Sequence, residues 1–119
     1  MQEKAPDYTV EWHFVGKAAN VRAVYDSLVE MLAEYGAVGE DPKKTCIHLV
    51  NRTALGGFYP RKDYVLLEFK TDYAIDDPLI LKTEQVSRSR FHHRIRLDSP
   101  ADLSGRAATW LRDAYILSG

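Results

Sequence analysis

The chain has 119 residues, 45% of them hydrophobic and 28% charged, with a formal net charge of -1. That length suits one domain, and that composition excludes a disordered chain. The near-neutral balance excludes whole-chain steering toward nucleic acid or membrane, and the lone cysteine, Cys46, excludes an intramolecular disulfide. No stretch approaches the ~20 apolar residues of a membrane span. Residues 1–7 read as a polar, frayed start without a signal-peptide core. The expected compartment is the cytoplasm.

The charge is dealt out in blocks. Residues 1–41 carry eight acids and three bases, whereas 43–70 carry six bases and two acids. Residues 71–81 carry three acids, and 82–96 carry five bases with Glu84. The basic blocks read as strands and the acidic ones as a helix and a loop, so one face is expected to be polarised. The blocks could equally neutralise one another in the fold.

Tyr8 to Val15 is rich in β-branched and aromatic residues, which predicts a short strand or an extended arm packing Trp12 and Phe14. Asn20 is placed to cap a helix whose apolar face is Val21, Val24, Tyr25, Leu28, Val29 and Leu32, with Gly36 as its stop. Thr45 to Val50 reads as a strand, Asn51-Arg52-Thr53 as a turn, and Ala54 to Tyr59 as a second strand. Gly56-Gly57 within it suggests a bulge or a close backbone approach. Pro60 to Asp63 reads as a turn. Tyr64 to Lys70 is a strand with Val65, Leu67 and Phe69 on one face.

Thr71 to Pro78 is an acidic loop, and Leu79-Ile80-Leu81 is a short apolar segment of no assigned type. Arg90 to Leu97 alternates strictly, with Phe91, His93, Ile95 and Leu97 against Arg90, His92, Arg94 and Arg96. Ser99-Pro100-Ala101-Asp102 is a helix start. Leu103, Ala107, Trp110, Leu111 and Ala114 give the buried stripe of a final helix, which Gly105 weakens in its first turn. The order predicts an α+β domain spanning residues 1–119. Its sheet is mostly antiparallel, with four to five strands flanked by an N-terminal and a C-terminal helix.

Trp12-His13-Phe14-Val15-Gly16-Lys17, Phe58-Tyr59-Pro60-Arg61-Lys62-Asp63-Tyr64, Arg90-Phe91-His92-His93 and Trp110-Leu111-Arg112-Asp113-Ala114-Tyr115 together carry a resemblance. The chain resembles, from about residue 8 to 118, a small bacterial domain of unknown function often labelled "predicted transport protein". The chain itself shows no transporter architecture. In some relatives a similar domain follows an endonuclease-like domain, which implies an association with nucleic acid. The resemblance implies no catalytic residue.

The strongest chemical pattern is Arg88, Arg90, His92, Arg94 and Arg96, which a regular strand would align on one face over roughly 27 Å at ~3.4 Å per residue. Arg61 and Lys62, with Lys43, Lys44 and Lys82, extend it. Planar guanidinium heads suit phosphate or carboxylate, so the stripe is a candidate anion- or nucleic-acid-binding face. The alternative is a solvated outer face paired with Glu68 and Glu84.

Asp63, Glu68 and Lys70 imitate the carboxylate pattern of metal-dependent nucleases. Asp63, however, has the opposite strand parity to Glu68, so the carboxylates do not converge. Adjacent His92 and His93 face opposite ways, and His13 and His48 are isolated, so no metal site is expected. Cys46 reads as a buried structural thiol. The chain is therefore expected to be a binding module, without catalytic residues or cofactor. Its partner is nucleic acid or a small anionic ligand in a pocket. A homodimer through an exposed strand edge is a third reading.

Overall fold

A computed structural model describes residues 8–119; the polar start expected over residues 1–7 lies outside them. Two α-helices, α1 (Ala19–Ala33) and α2 (Arg106–Leu117), accompany six strands. The strands are β1 (Gly39–Pro42), β2 (Ile47–Val50), β3 (Ala54–Pro60), β4 (Val65–Thr71), β5 (Lys82–Ser87) and β6 (Arg90–Leu97). They form one sheet in the order β1-β2-β3-β4-β6-β5, and every neighbouring pair is antiparallel. The α+β expectation holds, with six strands rather than four or five. The acidic loop after β4 carries the chain past one strand position to the edge, so that β6 returns between β4 and β5.

Strict alternation explains the layering. On β4, Val65, Leu67, Phe69 and Thr71 are buried, and on β6 so are His93, Ile95 and Leu97. These side chains meet Val21, Val24, Tyr25, Leu28 and Leu32 of α1 and Ala107, Trp110, Leu111 and Ala114 of α2 in a single apolar core. The helical stripes read from the sequence are thus the buried ones, except that Val29 is only half-buried and Leu103 packs into the core from the segment before α2. The opposite face of the sheet carries no helix.

Four local expectations are corrected. Tyr8 to Val15 is not a strand: Glu11–Phe14 is a 3-10 helix. Its physical cause is Thr9, whose hydroxyl oxygen accepts the Trp12 N–H at 3.1 Å and turns the chain. Asn20 is not the cap, because helix α1 starts from Ala18. The Asn20 amide instead donates to the carbonyls of Asp63 and Asp98, at 2.8 and 2.9 Å, tying two turns to the helix. Ser99 does form a capping box with Asp102, but the box starts only a 3-10 turn over Pro100–Asp102. Gly105, at φ +59°, breaks the path, and α2 begins after it. Finally, β1 and β5 were unforeseen strands. Both are sheet edges, and every residue of β5 is exposed, so neither has the apolar alternation of a packed strand.

The turns are pinned to the helices. The C-terminal end of α2 is held by the β2–β3 turn, where the Arg52 and Thr53 N–H groups both donate to the Ser118 carbonyl at 2.9 Å. The Asn51 amide donates to the Tyr115 carbonyl at 2.9 Å. Tyr115 in turn donates its hydroxyl to the Ala37 carbonyl at 2.8 Å. A side chain at Gly36 would put its Cβ 2.5 Å from that hydroxyl oxygen and would push the Tyr115 hydroxyl off the Ala37 carbonyl.

Candidate anion-binding face

The uncovered face of the sheet carries the even-numbered side chains of β6. Arg90, His92, Arg94 and Arg96 lie on it as the alternation requires. Arg88 does not. It falls in the turn between β5 and β6, because the edge ladder shifts register between Gln85 and Ser87 and the strand restarts only at Arg90. Arg61 and Lys62 sit exposed in the β3–β4 turn, beyond the strand ends.

The stripe is not uniformly free. Arg94 is paired with Glu68, its cross-strand neighbour on β4, at 2.6 Å, and its guanidinium stacks 5.5 Å from the Tyr59 ring. The Arg94 Nε is buried without a hydrogen-bond partner. Arg96 pairs with Asp98 at 2.9 Å and lies 4.1 Å over the Tyr64 ring. The two guanidinium groups are therefore placed over tyrosine rings and neutralised by carboxylates, as the solvated-face reading anticipated for Glu68. Glu84 stands opposite His92 in the β5–β6 register, but it forms no ion pair among the described residues.

A groove lies beside Gly57 on this face. Gly57 lies between His48 on β2 and Glu68 on β4, and its missing side chain leaves a depression of about 180 Å³. The walls are His48, Tyr59, Glu68, Lys70 and His92, and the floor is Ala54 to Gly57. Gly56 allows the close approach beneath: a Cβ there would lie 2.0 Å from the Glu68 carbonyl oxygen. Lys70 donates to the Thr53 hydroxyl at 3.0 Å. Partial burial, and then the positive charge of Arg90, hold its amine below the ordinary lysine pKa. Among the described residues, Lys70, Arg90 and His92 form no ion pair.

His48, Glu68 and His92 share the groove, yet no group of three His, Cys, Asp or Glu residues among the described ones converges as a metal cluster. Asp63 lies in the β3–β4 turn and Glu68 is engaged by Arg94, so the nuclease-like pattern does not assemble. Cys46 is buried, and that burial pushes its thiol up from the ordinary value, against a nucleophilic role. Tyr59 beside it is likewise pushed up, first by burial and then by the neighbouring Cys46 and Glu68.

Sequence reasoning singled out His92 but missed its companions as a set. In the sequence His48 stands isolated, and Lys70 falls into the nuclease-like pattern with Asp63 and Glu68. The one available signal was Gly56-Gly57, whose suggested close approach is real. No curated protein and no solved structure matches the chain. A family model matches residues 10–118, and the chain accordingly belongs to the family described as a domain of unknown function, DUF5655.

Proposed function

We propose that this chain is a binding module for a compact anion, a phosphate or carboxylate group, seated in the groove over Gly57. The observation that carries the reading is the placement of Lys70 directly across from His92 on the groove wall, with the positive charge of Arg90 nearby and, among the described residues, no carboxylate paired to any of the three. Two like charges held together in a partly buried place repel, and an anion between them relieves that repulsion. A continuous track for a long polyanion along β6 is less well supported, since Arg94 and Arg96 are already occupied by Glu68 and Asp98.

The test is calorimetric titration with inorganic phosphate, pyrophosphate and citrate at low salt, on the wild type and on Lys70→Ala. Charge-assisted hydrogen bonds contribute about 1.5–3 kcal/mol each, so the substitution is expected to weaken binding by tenfold or more. Equal affinity in the variant, or no heat with any of the three anions, overturns the reading.

A further inference from the structure

A second cationic cleft lies at the other end of β3, built from segments far apart in sequence. Phe14 is tucked into the core against Tyr25 and Phe58, at ring separations of 5.3 and 6.1 Å. His13 is buried, with its Nε2 2.6 Å from the Lys43 carbonyl. These two anchors hold the 3-10 helix and leave Trp12 outside, 50% exposed. The indole does not hang free. It meets the His13 ring edge-on at 5.0 Å and the Tyr8 ring at 4.9 Å, so it is an oriented surface.

Basic side chains converge beside it. The Lys17 N–H donates to the Phe14 carbonyl, and the Ala18 N–H donates to the Lys62 carbonyl at 2.7 Å, which draws the β3–β4 turn against the start of α1. As a result Lys17, Lys44 and Arg61 line one cleft with Trp12, Val15 and Pro60. Among the described residues no carboxylate lines the cleft, and none of the three cations forms an ion pair. The positive charge of Lys17 also acts on His13, whose pKa is lowered first by burial and then by that neighbour. The cleft measures about 400 Å³, within the roughly 300–1,000 Å³ of small-molecule sites.

An oriented, half-exposed indole ringed by unneutralised cations has a specific complement. The ring face offers stacking to a planar aromatic group, and the cations offer charge-assisted bonds to oxyanions. We propose that this cleft binds a nucleoside phosphate, with Trp12 stacked on the base and Lys17, Lys44 and Arg61 holding the phosphates. The nucleoside phosphate is either a free nucleotide or a unit of a single strand. The cleft shares no lining residue with the groove over Gly57, so the two proposals stand or fall separately.

The experiment titrates the full chain with ATP, inorganic triphosphate and a ten-residue thymidine oligonucleotide at low salt. It reads affinity by calorimetry and tryptophan fluorescence. ATP is expected to quench the exposed indole saturably and to bind about tenfold more tightly than triphosphate, because stacking adds to the phosphate contacts. Trp12→Ala should bring ATP down to the triphosphate affinity. The double variant Lys44→Ala/Arg61→Ala changes two exposed side chains and should leave the circular dichroism and melting unchanged. It should weaken ATP by about tenfold or more. ATP binding without tighter oligonucleotide binding assigns a free nucleotide; tighter, salt-sensitive oligonucleotide binding assigns a strand. Absence of binding by both, or binding that both variants leave intact, overturns the proposal. Loss of ATP binding in Lys70→Ala alone overturns it too, and moves the site to the groove.

Discussion

His93 and His92 are consecutive residues with opposite surroundings. His93 faces the helices and is fully buried, its Nε2 2.9 Å from the Thr71 hydroxyl and its Nδ1 3.0 Å from the Thr83 hydroxyl. The Thr71 hydroxyl donates its own proton to the Tyr73 carbonyl at 2.6 Å, so it accepts from Nε2–H, and Nδ1 accepts from Thr83. Both ring nitrogens of a neutral imidazole are thereby satisfied, and the ring fastens β4 and β5 to β6. His92, one residue earlier, looks across the open groove toward Lys70. The same residue type is a structural tie on one face and a groove-lining group on the other. What separates them is strand parity and the presence of helices on only one side.

That contrast can be broken or sharpened by experiment. The largest effect is expected from Leu67→Ala, which empties a fully buried site on the helix-covered face and should cost about 2–5 kcal/mol in chemical denaturation. Leu66→Ala, on the uncovered face of the same strand, should cost less than about 1 kcal/mol. Equal costs would mean that the two faces are packed alike.

An intermediate effect separates the two glycines of β3. A methyl group at Gly56 would collide with the Glu68 backbone carbonyl, and Gly56→Ala should destabilise by about 1–3 kcal/mol. At Gly57 the nearest atom is in the Tyr59 ring, 3.0 Å away, and that side chain can shift. Gly57→Ala should therefore melt near the wild-type temperature while weakening phosphate binding by filling the floor of the groove. Unchanged phosphate affinity would detach the groove from binding.

The smallest effect is a pH slope. Burial lowers the pKa of His93, and of His13, below the ordinary 6.5. Below pH 6.5 the unfolded chain takes up protons that the folded chain still refuses, so stability is full above that value and declines as the pH falls through it. Denaturation midpoints between pH 7.5 and 5 should fall, and His93→Gln should reduce the slope. A slope unaltered by His93→Gln would show that the ring is not the proton-excluding group.

Much of the architecture was legible in local pattern. The register of Val65, Leu67 and Phe69, the alternation of Arg90 to Leu97 and the stripes of both helices are properties of short stretches, because side-chain direction follows backbone period. The edge strands were not legible. Gly39–Pro42 and Lys82–Ser87 are strands only because a neighbour supplies their hydrogen bonds, and their own residues bury little. Trp12 was read as packing inward, whereas the Thr9 turn and the His13 anchor put it outside. The sequence leaves open whether Arg94 and Arg96 are free or paired; Glu68, one of the two partners it offers, neutralises Arg94, whereas Arg96 is neutralised by Asp98, which it does not offer. Each of these outcomes depends on a partner that lies across the sheet or in an adjoining turn.

The sequence by itself determined the fold class, the buried faces and the alignment of Arg90, His92, Arg94 and Arg96, since all three follow from periods of two and 3.6 residues. Only the tertiary structure decided which cations remain unneutralised. It brought His48, Lys70 and His92 around Gly57, and Lys17, Lys44 and Arg61 around Trp12, from strands and turns distant in the chain. Charge pairing falls off over a few ångströms and takes no account of sequence distance, so its outcome is set by register and turn placement.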